Sequence, residues 1–75
     1  EFSETQIIVF PNPTRDLINI ACNLRINAVL YNSIGQLVLQ ETDVKQLDLS
    51  NFEAGIYNLV LIHNDLKFTK KIVKQ

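Results

Sequence analysis

The sequence has few of the residues on which catalysis usually depends. Its 75 residues include one cysteine, one histidine, two glycines and no tryptophan. We expect the histidine, His63, to be exposed at a hairpin turn, and no serine or cysteine pattern beside it could supply a nucleophile with its base. Because Gly35 and Gly55 are the two glycines, a glycine-rich loop that cradles phosphate is excluded. The chain is therefore predicted not to be an enzyme.

Metal and cofactor sites are not expected either. The acidic residues that a metal would need are scattered over different loops and strand ends: Glu41, Asp43, Asp48, Glu53 and Asp65. They lack the Asp-x-Asp-x-Asp spacing of a calcium loop, and no paired His or Cys spacing suits zinc. The lone Cys22 excludes an internal disulfide. We expect a buried apolar thiol there, and an intermolecular disulfide or a reactive thiol stays open as the alternative.

Length and charge narrow the class further. Seventy-five residues suit one domain, and a 47% hydrophobic, 20% charged composition is globular. The net charge of -1 offers no attraction for nucleic acid or an anionic membrane. Apolar runs fall far short of the ~20 residues of a membrane-spanning helix, and no signal peptide opens the chain. Without an initiating Met, the sequence is expected to be part of a longer protein, with residues 1–5 a linker or cloning remnant and 6–75 the domain.

The hydrophobic pattern predicts an all-β chain. Apolar residues alternate or form short runs bounded by Pro, Gly, Asn and Asp, and no stretch sustains helical spacing for three turns. Seven strands are predicted, at Gln6–Phe10, Leu17–Cys22, Ile26–Asn32, Gln36–Glu41, Gln46–Leu49, Ile56–His63 and Leu66–Val73. Seven short antiparallel strands with regular turns indicate an immunoglobulin-like β-sandwich.

Turn residues explain where the chain reverses. Pro11 and Pro13 fix φ and lack amide donors, so the first strand must leave its sheet there. Asp16 can accept hydrogen bonds from amides of that loop. Its role is either that of a solvated turn charge or that of shaping the loop for a receptor. Gly35 can take the positive φ of a short hairpin, and Asn64 tolerates the same geometry between the last two strands.

Tyr57 has a predicted structural role. The segment from Glu53 to Leu59 is similar to the entry of strand F in immunoglobulin domains, where a tyrosine hydroxyl bonds to upstream backbone. We therefore expect Tyr57 to bury its ring and spend its hydroxyl on a backbone group of the corner.

Alternation along the strands also predicts an exposed apolar patch. If Tyr57 points inward, residues 60 and 62 point outward beside residues 29 and 31 of the neighbouring third strand. The patch comprises Val29, Tyr31, Val60 and Ile62 and is a candidate docking or dimer surface. A shifted register or a covering loop is the alternative.

The register of the last strand is ambiguous from sequence. Phe68 and Ile72 favour the core, which would carry Lys70 inward between them. A bulge near Thr69, or an edge strand whose lysine stem reaches water, would resolve the conflict. Edge lysines also deter unwanted strand pairing.

Four segments in a fixed order resemble a known family. They are Pro11-Asn12-Pro13-Thr14-Arg15-Asp16, Tyr31-Asn32-Ser33-Ile34-Gly35-Gln36, Gly55-Ile56-Tyr57 and the basic stretch Lys70-Lys71-Ile72-Val73-Lys74-Gln75. Each piece alone is weak, since Pro and Asn fill turns in any fold. Their order and spacing resemble the C-terminal sorting domain, type A, of proteins exported by the type IX secretion system.

The resemblance implies a sorting signal at the C-terminus of a cargo protein such as a surface protease or adhesin. Such domains fold in the periplasm, meet an outer-membrane translocon and are removed by a sortase-type protease, while the cargo reaches the cell surface or the medium. Cleavage would fall upstream of Gln6. The family needs its extreme C-terminus for export, so Lys70, Lys71 and Lys74 become candidate contacts with the translocon.

Two other functions fit the same composition. One is a fibronectin-like or carbohydrate-binding module of a secreted hydrolase, although glycan platforms usually need exposed aromatic rings and Tyr31 is the one plausible candidate. The other is a spacer that pairs edge strands with a neighbouring protein. A reporter fusion separates them from a sorting signal by where the reporter is delivered.

Overall fold

The computed structural model describes residues 7–75, and across that range it has seven strands and no helix. The strands are β1 Ile8–Phe10, β2 Leu17–Ala21, β3 Asn27–Tyr31, β4 Leu37–Glu41, β5 Gln46–Asp48, β6 Gly55–His63 and β7 Leu66–Lys74. Each predicted strand is present, with ends that differ by one or two residues. The predicted start at Gln6 and the predicted linker 1–5 lie outside the described residues. No helix in this range is suited to crossing a membrane.

The strands form two sheets that pack as a sandwich. One sheet has the order β1-β2-β5 and the other β4-β3-β6-β7, and every pairing between named strands is antiparallel. The predicted all-β sandwich is thus confirmed. As in immunoglobulin-like domains, consecutive strands pass between the sheets instead of pairing only with their sequence neighbours.

The core is built from the inner faces of both sheets, as strict alternation requires. Tyr57, Leu59 and Leu61 point inward from β6, and Ala28 and Leu30 from β3, as predicted. The apolar residues of this buried cluster are Ile7, Ile18, Ile20, Ile26, Ala28, Leu30, Val44, Leu47, Leu49, Tyr57, Leu59, Leu61 and Ile72. Cys22 is half-buried against the cluster, less enclosed than expected.

The β6–β7 hairpin resolves the ambiguity of the last strand. Its register runs without a break over nine residue pairs, from Gly55 with Lys74 to His63 with Leu66, so the predicted alternative of a bulge near Thr69 is wrong. β7 lies at the edge of its sheet, as the other alternative required. Lys70 therefore faces inward and is half-buried, because an edge position lets its stem run beside the core.

Candidate functional site

The two ends of the sandwich carry different parts of the sequence. The strand registers place loops 11–16, 32–36 and 49–54 together with residues 74–75 at one end, which we call the signature end. The opposite end, called the entry end, carries residue 7 and loops 22–26, 42–45 and 63–65. All four segments that carry the family resemblance thus reach or adjoin the signature end.

The Pro-Asn-Pro turn is hydrogen-bonded to the outer edge of β7. The side-chain amide of Asn12 donates to the Lys71 carbonyl at 2.7 Å, and its oxygen accepts from the Val73 amide at 3.0 Å. The Thr14 amide donates to the Val73 carbonyl and the Gln75 amide to the Thr14 carbonyl, both at 2.8 Å, which forms a parallel bridge. These four bonds, called the edge clamp, join two segments some sixty residues apart in sequence.

Thr14 has a structural role that sequence reasoning missed. Its side chain is buried, and its hydroxyl donates to the Leu17 carbonyl at 2.7 Å, so it closes the loop that leads into β2. The one available signal was a hydroxyl three residues before a strand, a common turn feature.

Asp16 is a solvated turn charge, as one of the two predictions had it, but the hydrogen bonds expected from amides of the loop are not formed in the described part of the chain. Within residues 7–75 its exposed carboxylate makes no hydrogen bond to loop amides, and its backbone carbonyl accepts from the Leu49 amide at 2.7 Å instead. This main-chain bond extends the β2–β5 pairing by one residue beyond Leu17 and Asp48.

The Asn32–Gln36 hairpin is held by the side chain of Asn32. Its oxygen accepts from the amides of Ile34 at 3.1 Å and Gln36 at 2.9 Å, and its nitrogen donates to the Gln36 side chain at 2.9 Å. Gly35 has a φ of 88°, the positive value predicted for this turn. Asn32 and Gln36 therefore serve mainly to fix the shape of the loop, and Ile34 is left 77% exposed at its tip.

Tyr57 forms the predicted corner. Its hydroxyl donates to the Glu53 carbonyl at 2.7 Å, its ring is buried, and the Phe52 ring stacks on it with centroids 6.0 Å apart. Between this corner and the Asn32–Gln36 hairpin lies an open groove of about 570 Å³, which Ile34 and Ile56 help to line. Gly55 lies in the same wall, so two signature segments share one concave surface.

The predicted apolar patch lies on the outer face of the four-stranded sheet. Val29 pairs with Val60 in the β3–β6 register, and Ile62 and Tyr31 occupy neighbouring outer positions. Tyr31, Val60 and Ile62 are half-buried, whereas Val29 is 8% exposed. The four residues share a face as predicted, but the accessible patch is smaller than the sequence suggested.

The three candidate lysines have different surroundings. Lys71 is exposed on the outer face of β7. Lys74 is 8% exposed, and its ammonium group donates to the Gln75 carbonyl at 2.9 Å. Lys70 faces inward and is half-buried. Of the three lysines, Lys71 therefore has the most exposed side chain.

Electrostatic features at the site are modest. Hydrogen bonds from the Ser50 hydroxyl and amide lower the pKa of Asp48, an exposed residue near the signature end. His63 is half-buried, not fully exposed as expected, and its Nδ1 lies 3.0 Å from the Arg25 carbonyl. Within residues 7–75, no three His, Cys, Asp or Glu side chains are grouped so as to hold a metal ion.

The fold and the signature end define a small β-sandwich module with a fixed surface of turns and strand ends at one end. A family model described as a secretion system C-terminal sorting domain matches residues 8–75. The chain therefore belongs to the C-terminal sorting domains of the type IX secretion system. A comparison with curated proteins finds no match. Members of this family are sorting signals, not catalysts, and direct an attached cargo to the cell surface or the extracellular space.

Proposed function

We propose that the secretion machinery recognises this domain in its folded state, through the signature end. The observation that carries this proposal is the convergence of four sequence segments on the end of the sandwich opposite residue 7. Since a C-terminal sorting domain follows its cargo, the cargo joins at the entry end. The signature end then faces away from the cargo, across a sandwich whose longest dimension is 36 Å.

The edge clamp supports recognition of a folded surface. Asn12 and Val73 are 61 residues apart, so the surface they form exists only after the domain has folded. An unfolded chain would have to pay the entropy of ordering these segments during binding, which weakens affinity. A domain that has already folded does not pay that entropy cost during binding.

The route that follows has four steps. The cargo and its domain reach the periplasm, where the domain folds. An outer-membrane component of the translocon then binds the signature end, and the cargo crosses to the outside. A sortase-type protease finally cuts upstream of Gln6. The arrangement of the ends suits this last step, because the junction with the cargo stays accessible while the opposite end is bound. The domain itself makes and breaks no covalent bond.

Delivery of a reporter tests this proposal. Residues 3–75 are fused to the C-terminus of a reporter that is otherwise retained in the periplasm of a host with a type IX system. We expect surface delivery of the reporter. Retention in the periplasm, accompanied by glycan binding or self-association, would instead favour a binding or spacer module.

A matched pair of variants tests which end is read. Ile34→Asp places a charge at the signature end, and Leu66→Asp places one at the entry end; both residues are exposed, at 77% and 43%. We expect Ile34→Asp to reduce delivery and Leu66→Asp to leave delivery intact. Circular dichroism should show that both variant domains are folded. Equal delivery, or loss from Leu66→Asp alone, would contradict recognition through the signature end.

A further inference from the structure

We propose that Asn12 is a positioning residue that joins the Pro-Asn-Pro turn and the end of β7 into a single contact surface for the secretion machinery. This inference rests on the proposed function, and it names the part of the signature end that is read as a unit. The turn is accordingly not an independent motif, because the edge clamp sets its position relative to Lys71, Val73 and Gln75.

The Pro-Asn-Pro turn lacks two backbone hydrogen-bond donors. Pro11 and Pro13 have no amide hydrogen, so the turn cannot pair with a strand edge through its own backbone ladder. The carboxamide of Asn12 carries a donor and an acceptor, as a peptide group does. Its bonds of 2.7 Å to the Lys71 carbonyl and 3.0 Å from the Val73 amide therefore replace the missing main-chain pairing.

The bonds of Thr14 extend the same edge by one further step. The Thr14 amide and carbonyl bond to the Val73 carbonyl and the Gln75 amide, so the clamp engages positions 71, 73 and 75 in alternation. Alternate residues of a strand direct their backbone groups to the same edge, which explains this spacing. Loss of residues 73–75 would remove three of the four clamp bonds and free the turn.

The clamp also determines which side chains meet a partner. Pro11, Pro13 and Arg15 are exposed on the turn, and Lys71 is exposed on the adjoining strand. The matching partner is a protein surface with apolar side chains for the proline rings and carboxylates for the two cations. This complementary surface lies on the outer-membrane secretion machinery.

The test compares two exposed asparagines at opposite ends, each of which bonds to the backbone through its side chain. Asn12→Ala removes two clamp bonds, and Asn27→Ala removes the bond from the Asp43 amide to the Asn27 oxygen, which is 3.0 Å long. Two readouts are needed: amide hydrogen exchange of the isolated domain, and surface delivery of the reporter fusion. Asn12→Asp, which keeps the acceptor for the Val73 amide and loses the donor, serves as the conservative variant.

We expect Asn12→Ala to accelerate exchange of the Val73 amide about tenfold, the effect of losing roughly one to two hydrogen bonds. Exchange in β3 should not change. Delivery should fall about fivefold or more, with a partial recovery in Asn12→Asp and no fall in Asn27→Ala. Unchanged Val73 exchange would show that Asn12 does not hold this edge in solution. Faster exchange with normal delivery would show that the clamp is structural alone. Both results overturn the inference, whereas failure of the unaltered fusion to be delivered would overturn the proposed function itself.

Discussion

Tyr57→Phe tests whether the corner hydroxyl stabilises the signature end. The change removes the 2.7 Å bond to the Glu53 carbonyl and keeps the buried ring and its stacking on Phe52. Loss of a partly buried hydrogen bond costs about 1–2 kcal/mol. The whole domain has roughly 4–11 kcal/mol of stability at about 0.05–0.15 kcal/mol per residue, so the loss is substantial. The melting temperature should fall by about 4–16 °C, at about 4–8 °C per kcal/mol for a domain of this size.

Tyr31→Phe is the matched control for that measurement. The Tyr31 hydroxyl makes no hydrogen bond within residues 7–75, and its ring is half-buried on the outer face. Urea denaturation followed by circular dichroism gives the free energy of unfolding for both variants. Equal stability of the two variants would refute the reasoning, because loss of the hydroxyl that bonds to Glu53 would then cost no more than loss of a hydroxyl that makes no bond.

Four further outcomes are expected. Gly35→Ala should cost about 1 kcal/mol in thermal unfolding, because the added Cβ meets no atom within 4 Å and the strain comes from the φ of 88° alone; a neutral effect would contradict this. Leu59→Asp should unfold the domain and abolish delivery of a fused reporter, since it puts an unpaired carboxylate at a fully buried position; delivery of the unfolded variant would argue against recognition of a folded surface. Val60→Thr combined with Ile62→Thr should preserve folding and weaken any association seen by sedimentation, and unfolding would mean that these residues belong to the core. The lowered pKa of Asp48 predicts that its stabilising effect is present above its ordinary value of 3.8 and lost as pH falls through the lower folded value; a stability difference from Asp48→Asn that persists in acid would contradict it.

The parts of the fold that follow from short-range patterns could be predicted. Alternation along β6 fixed the inward face of Tyr57, and it also placed Val60 on the outer face. The turn at Gly35 and the positive φ of Asn64 followed from residue types that tolerate left-handed geometry. The corner hydrogen bond followed from an immunoglobulin-like spacing of residues.

The parts that depend on long-range contacts could not be predicted. Nothing in the sequence near Asn12 indicates that its partners lie in β7, because strand order and edge position are set by the whole sandwich. The same limit applies to Lys70, because its inward direction is set by the register in which β7 pairs with β6. The bond from the Leu49 amide to the Asp16 carbonyl also depends on strand pairing, which the residue type of Asp16 does not indicate.

The arrangement of the two ends relates the fold to the sorting role. A sandwich separates its loops into two sets, so one set can adjoin the cargo while the other stays available to a receptor. The four segments that carry the family resemblance are concentrated at the signature end, although they are spread along the whole sequence. Folding thus brings these segments together at one end of the sandwich.

Site-specific photo-crosslinking in cells that carry the secretion system tests the central claim most directly. A photoreactive residue is placed at Arg15, on the signature end, or at Asp65, on the entry end; both positions are exposed. Recognition of the folded signature end predicts crosslinks from position 15 to an outer-membrane component of the translocon, and their loss when Leu59→Asp unfolds the domain. Crosslinks to that component from position 65 alone, or equal crosslinking by the unfolded domain, would contradict the account.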